Sequence, residues 1–226
     1  MFHGSMVALV TPMTDTGEID IPCFRRLLEI HLDQGTDAIV VNGTTGESST
    51  LTANEKLQAI KIALETVAGQ IPIIAGTGTY STLETIRSTR DAMELGVDAC
   101  LVVTPYYNRP TQEGLYEHYK ALSEAVPLPI VMYNVPGRTG CDLLPETVEK
   151  LSRFSNMQRA KHSNKIKSSP YAVVSIKPFV IEAGGLLVLL YSPIQQNIVL
   201  RKYSLPFQAQ SMAFYVSMPL EQMAIL

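Results

Sequence analysis

Residues 38–69 read AIVVNGTTGESSTLTANEKLQAIKIALETVAG. A four-residue apolar run gives way to a glycine-flanked loop, then to the capping box Thr52-x-x-Glu55, an apolar stripe at helical spacing and the closing Gly69. This is one strand–helix unit, and the same unit recurs on both sides of it. Strand Val7-Ala8-Leu9-Val10 precedes a helix that opens at Asp20 with Pro22 in its first turn, runs through Phe24, Leu27, Leu28 and His31, and stops at Gly35. Downstream, strand Ile71 to Ala75 leads to a helix capped by Ser81-x-x-Glu84 and ended by Gly96. Strand Ala99 to Val103 leads to a helix over 112–125, and strand Pro129 to Tyr133 to a helix over 145–154. The apolar runs are continuous rather than alternating, which is the pattern of parallel strands covered on both faces. Serial units of this kind predict an α/β fold, either a closed (β/α)8 barrel or an open doubly wound sheet.

The chain has 226 residues, is 46% hydrophobic and 17% charged, and lacks Trp. That composition suits a globular protein and excludes a disordered or coiled-coil one. Cys23, Cys100 and Cys141 are odd in number and form no C-x-x-C pair, so reduced thiols in the cytoplasm are expected. The start has no basic segment, and the longest apolar run, Ala183 to Tyr191, is about half of the roughly 20 residues a membrane-spanning helix needs, so neither export nor membrane insertion is expected. A net charge of -3 gives nucleic acid little to hold. The charge is uneven: residues 1–156 carry 19 acidic and 11 basic side chains, residues 157–226 only 2 acidic and 7 basic, with no Asp. The chain therefore divides into 1–156, with five regular units, and an atypical tail over 157–226. A complete barrel needs about 250 residues, so five units and an irregular tail predict an incomplete one.

In either architecture chemistry collects at the carboxyl ends of the strands. The segments there are Asn42-Gly43-Thr44-Thr45-Gly46-Glu47-Ser48, Gly76-Thr77-Gly78-Thr79, Thr104-Pro105-Tyr106-Tyr107-Asn108-Arg109-Pro110 and Tyr133-Asn134-Val135-Pro136-Gly137-Arg138-Thr139-Gly140. Hydroxyls, phenols and guanidinium groups converge on one rim without a cluster of His, Asp or Glu. That inventory suits a small carboxylate substrate and proton relay rather than metal-assisted hydrolysis, and no metal is expected. Each piece also has a plain structural reading: Gly-Thr-Thr-Gly is a turn as readily as an anion nest, and the tyrosine pair can pack a loop. Gly76-x-Gly78 lacks the third glycine and the acidic residue of a dinucleotide fingerprint. His31 and His118 sit mid-helix as structural or solvated residues, and His3 and His162 have no metal-ligand spacing.

Taken together and in this order, Gly43-Thr44-Thr45-Gly46-Glu47, Pro105-Tyr106-Tyr107-Asn108-Arg109-Pro110 and Tyr133-Asn134-Val135-Pro136-Gly137-Arg138-Thr139 resemble the dihydrodipicolinate synthase family of Schiff-base aldolases. The similarity runs from Phe2 to Asn156, and the Val-Pro-Gly-Arg-Thr loop separates it from the related sialic-acid lyases. The resemblance implies a (β/α)8 TIM barrel and a lyase that condenses pyruvate with L-aspartate 4-semialdehyde in lysine and diaminopimelate biosynthesis. It also implies a cytoplasmic homotetramer built of dimers, with no cofactor beyond a covalent Schiff base between pyruvate and a lysine. By the family pattern Tyr133 is the proton-relay phenol, Thr44 links it to Tyr107, and Tyr107 enters the neighbouring subunit's site. Thr45 binds the pyruvate carboxylate and Arg138 the semialdehyde carboxylate, a match of guanidinium fork to carboxylate.

The nucleophile must be a lysine at a strand end, deprotonated enough to attack a ketone. Lys56, Lys61, Lys120 and Lys150 lie in predicted helices with polar neighbours. The family places its lysine on strand six, and Lys161 falls at the expected spacing after Tyr133, although Met157-Gln158-Arg159-Ala160-Lys161-His162 does not read as a buried strand. Lys177 has the more strand-like approach, Ala172 to Ile176, but lies 16 residues later and precedes Pro178. A displaced reading frame would account for the boundary: the family's strand-eight Gly-Val-Ile-Ser-Val-Thr, when spelled GGG GTT ATT AGT GTT ACT and read one base late, gives the Gly-Leu-Leu-Val-Leu-Leu of residues 185–190. Likewise Gln158-Arg159-Ala160, when spelled CAA AGA GCA, holds Lys-Glu one base late. An out-of-frame tail predicts that strands six to eight are lost, leaving open sheet edges prone to aggregation. The alternatives are a non-catalytic remnant that at most binds small carboxylates or associates with intact subunits, and another pyruvate-dependent aldolase.

Overall fold

A computed structural model describes residue 2 and residues 4–162 of the chain, Gln158–His162 as backbone. Strands β1 (Met6–Ala8), β2 (Ala38–Val41), β3 (Ile73–Gly76), β4 (Ala99–Val103), β5 (Ile130–Asn134) and β6 (Met157–His162) alternate with helices. The helices are α1 (Ile21–Asp33), α2 (Ala53–Val67), α3 (Thr82–Leu95), α4 (Gln112–Ala125), the single turn α5 (Pro136–Thr139) and α6 (Pro145–Leu151). The strands form one parallel sheet in the order β1-β2-β3-β4-β5-β6. A doubly wound sheet reverses its strand order at a switch point. The unreversed order here is that of a barrel wall, which decides between the two predicted architectures.

The start and stop signals act as the sequence predicts. The Asp20 side chain accepts from the Cys23 amide, Thr52 and Glu55 form the reciprocal capping box, Ser81 caps α3, and Gly96 ends it at φ 96°. Alternate strand residues enter two separate cores. Ile39, Val41, Ile73, Ala75, Cys100, Val102, Ile130 and Met132 pack with the helices, whereas Ala38, Val40, Ile74, Ala99, Leu101, Val131 and Tyr133 pack on the other face. Burial on both faces is why the strands are apolar at every position. The helices answer with single stripes, Phe24, Leu27, Leu28 and His31 on α1 being one. Among the described residues no helix is long and apolar enough to cross a membrane.

Two differences from the sequence reading concern the end of this sheet. The turn α5 was not expected; Pro136 at its first position is the signal that marks it. The segment 157–162, read as unsuited to a strand, is β6, parallel to β5 with Ile130 opposite Met157, Met132 opposite Ala160, Tyr133 opposite Lys161 and Asn134 opposite His162. The loss of strand six is thereby corrected. The order of its apolar residues argues against a strand, but a ready-made edge on β5 supplies backbone partners whatever the side chains are. The register shifts between Ile130 and Met132. Lys177, the run 185–190 and the rest of the tail after His162 lie outside the described residues.

The outer layer contains a buried histidine with a measurable consequence. His118 on α4 is 4% exposed; its Nδ1 lies 2.9 Å from the Thr82 hydroxyl, and its Nε2 has no hydrogen-bond partner. Burial pushes its pKa down to about 4, and burial lowers that of His31 as well. The unfolded chain therefore takes up these protons first, near pH 6.5, and stability present above that pH is lost as the pH falls toward 4. For His118 the full loss is about 3 kcal/mol by linkage. Urea denaturation across pH 4–7 is expected to show this slope, and His118→Gln to flatten it.

Candidate active site

The strand-end loops are fitted to one another by glycines. Loop 42–48 closes on itself through Glu47 N to Thr44 O (3.2 Å) and Ser48 N to Gly43 O (3.4 Å), with the Thr50 amide and hydroxyl both donating to Glu47 O at 2.9 Å. The Thr11 hydroxyl ties this loop to the segment after β1 by donating to Gly46 O at 2.8 Å. Gly76 lies under it so closely that a Cβ there would stand 2.0 Å from Asn42 O, and one on Gly78 would stand 2.4 Å from Val103 N. The Gly76-x-Gly78 pair is thus explained by the approach of neighbouring backbones. In the closed loop Thr44 is half-buried and Thr45 exposed, so the Thr45 hydroxyl is offered at the rim.

The loops after β4 and β5 interlock. Thr104 N donates to Tyr133 O at 2.9 Å, Tyr107 N to Thr139 O at 3.4 Å, and the Cys141 thiol to Pro105 O at 3.1 Å. Tyr107 and Arg109 both adopt left-handed backbone, φ 70° and 47°. This is a strained conformation for non-glycine residues, kept only where the surroundings fix it. Its result is that Tyr107 is 91% exposed. Tyr106 turns inward against Tyr80, ring centroids 5.5 Å apart and nearly perpendicular, and burial with the nearby Tyr80 raises its pKa. After β5 the Asn134 amide donates to Asp142 Oδ1 (2.6 Å) and Leu143 O (3.3 Å) while its oxygen accepts from Leu143 N (3.1 Å). This clamp fixes the strand end from which α5 presents the exposed Arg138.

Tyr133 is buried on the face of the sheet opposite the helices, and Lys161 stands across from it in the β5–β6 register. Adjacent strands lie about 4.8 Å apart, so the two residues hold neighbouring places on one sheet. Thr44 and Thr45 come from the β2 end, Tyr107 from β4 and Arg138 from β5, all at the carboxyl rim. Of the helical lysines, Lys56 on α2 meets the loop after β2 through its backbone carbonyl, which accepts from Asn42 Nδ2 at 3.0 Å. Burial lowers the Lys56 pKa, with the Glu84 carboxylate opposing. Two residues to which the sequence reading gave no role stand out: Asn42 and Glu47, both buried and both at φ 55°. Their place in a glycine-rich loop gave no sign of burial. No group of three or more His, Cys, Asp or Glu that could hold a metal ion is gathered among the described residues.

A sequence profile described as the dihydrodipicolinate synthetase family matches residues 1–177, past the boundary drawn at Asn156. The 4-hydroxy-tetrahydrodipicolinate synthase of Methylococcus capsulatus is 59% identical over 163 residues, which are 72% of this chain and 56% of the relative. The chain thus spans little more than half the length of the curated relatives it matches. Among solved structures, dihydrodipicolinate synthase from Acinetobacter baumannii complexed with pyruvate superposes with a TM-score of 0.71 at 53% identity, covering 71% of this chain and 55% of that one. The Aquifex aeolicus dihydrodipicolinate synthase superposes with a TM-score of 0.71 at 48% identity, covering 73% and 56%.

Proposed function

The chain belongs to the dihydrodipicolinate synthetase family, and on that footing we propose that it is a 4-hydroxy-tetrahydrodipicolinate synthase, condensing pyruvate with L-aspartate 4-semialdehyde through a Schiff base on Lys161. The observation that carries this is the pairing of Lys161 with Tyr133 across β5 and β6. In the proposed reaction the Lys161 amine adds to the pyruvate ketone, the carbonyl oxygen leaves as water, and a methyl proton is lost to give an enamine. The enamine carbon then attacks the semialdehyde's aldehyde carbon, whose oxygen takes up a proton, and the semialdehyde's own amine adds to the regenerated imine carbon, closing the ring and displacing the Lys161 amine. Tyr133 passes the protons that these steps release and require, with Thr44 and Tyr107 continuing the relay. Thr45 holds the pyruvate carboxylate by its hydroxyl and amide, and Arg138 holds the semialdehyde carboxylate.

Tyr107 belongs to this reading as a residue that serves the site of a neighbouring copy, supported by its 91% exposure on a strained backbone. The assembly that follows is a cytoplasmic homotetramer of dimers, with no cofactor other than the lysine-bound pyruvate. An assay of the purified full chain with both substrates is expected to show their joint consumption. Arg138→Ala is expected to raise KM for the semialdehyde roughly tenfold to a hundredfold, the size of a lost hydrogen bond to a charge. Consumption of pyruvate with other aldehydes but not the semialdehyde would instead support a different pyruvate-dependent aldolase.

The second reading is a non-catalytic remnant with an out-of-frame tail, favoured by the change of charge after Asn156. Sequencing the coding DNA tests it: a family-like frame displaced by one base is expected, and its absence removes this reading.

A further inference from the structure

We propose that the loop after β2 holds a site for a monovalent alkali cation, with the Glu47 carboxylate and the Asn42 side-chain oxygen as ligands. Glu47 is the one carboxylate residue in the buried class among the described residues, at 7% exposure. Both its oxygens lack a hydrogen-bond partner, and it takes part in neither of the ion pairs formed there, Arg25 with Glu65 and Lys120 with Glu117. A buried carboxylate without donor or cation is among the costliest groups a fold can carry, so its persistence calls for a positive partner. Asn42, 2% exposed, has the same defect: its Nδ2 is engaged with Lys56 O, and its Oδ1 has no partner.

The two orphans flank one closed loop, since the Ser48 N to Gly43 O bond joins the residues that follow each of them. A Cβ on Gly46 would meet Asn42 N at 3.6 Å, the Thr11 hydroxyl at 3.1 Å and Leu9 O at 2.9 Å, so the residue before Glu47 is packed against the backbone of Asn42 and the segment after β1. A donor set of oxygens, without imidazole or thiolate, selects a hard cation. A single formal negative charge matches a monovalent ion rather than a divalent one. The left-handed backbone of both residues, φ 55° in each, is the strain expected where a loop is shaped around a ligand. The site does not depend on the aldolase reading, although a cation there would offset the Glu47 charge close to a loop proposed to bind a carboxylate.

The test is thermal unfolding of the full chain in KCl, NaCl and choline chloride at equal ionic strength, for the wild type and Glu47→Gln. The midpoint is expected to rise saturably in one or both alkali salts over choline, and the rise is expected to vanish in Glu47→Gln. Equal midpoints in the three salts, or an alkali effect that survives the substitution, would overturn the proposal. A destabilisation by Glu47→Gln of equal size in all three salts would also overturn it, assigning the carboxylate to a donor elsewhere in the chain. If the variant does not fold, sodium-23 NMR of the wild type decides: line broadening relieved by added KCl is expected, and an unbroadened line contradicts the site.

Discussion

Gly76→Ala is expected to leave little folded protein. The added Cβ would stand 2.0 Å from Asn42 O, 2.7 Å from Asn42 C and 3.2 Å from Gly43 N. All three are backbone atoms, so no side chain can swing aside. Relief requires that the ends of β2 and β3 separate just beyond the Val41–Ala75 pair, which would lift the whole 42–48 loop off the sheet. Losses above about 4 kcal/mol are exceptional for a single substitution and come from steric or burial conflicts of this kind. Against a typical total stability of about 5–15 kcal/mol that is enough to empty the folded state of a marginal chain. Soluble yield and urea midpoint are the readouts. Gly137→Ala is the control: no atom lies within 4 Å of the corresponding Cβ, and its change should stay within about 0.5 kcal/mol. A wild-type midpoint for Gly76→Ala would show that the loop is not seated on β3 as described.

Tyr133→Phe is expected to lower kcat and kcat/KM together by about a hundredfold to ten-thousandfold, the usual contribution of a positioned proton-transfer group. The ring of Tyr133 is buried with Leu101, Val131 and Val135, and phenylalanine preserves that packing. The variant should therefore fold as the wild type does, and the deficit should lie in the chemistry. Equal losses in the two parameters would mark an interaction used in the transition state rather than in ground-state binding. A variant within threefold of wild type would remove Tyr133 from the relay.

Most of this fold is legible from residue order because local signals agree with it. Ala38–Val41, Ala99–Val103 and α4 over Gln112–Ala125 lie where continuous apolar runs and helix spacing place them. The caps at Asp20, Thr52 and Ser81 fix the helix starts. The choice of barrel-type over doubly wound order came from the family resemblance of the strand-end motifs, not from the local units, which both folds share while differing in which strands pair. Strand β6 was misread for a related reason: its pairing is imposed by the open edge of β5, not by a period in residues 157–162. The rim positions of Thr45, Tyr107 and Arg138 were legible because loops at strand ends are identifiable without coordinates. Burial of Asn42 and Glu47 was not, since it arises from the stacking of loop 42–48 on Gly76 and its tie to Thr11, contacts between distant positions in the chain.

The most direct test of the catalytic account is intact mass and peptide mapping of the purified full chain after incubation with pyruvate and borohydride. One reduced pyruvyl adduct is predicted, on the peptide containing Lys161, and lost in Lys161→Arg. An unmodified mass on protein shown by circular dichroism to be folded, or an adduct on any other lysine, would contradict the account.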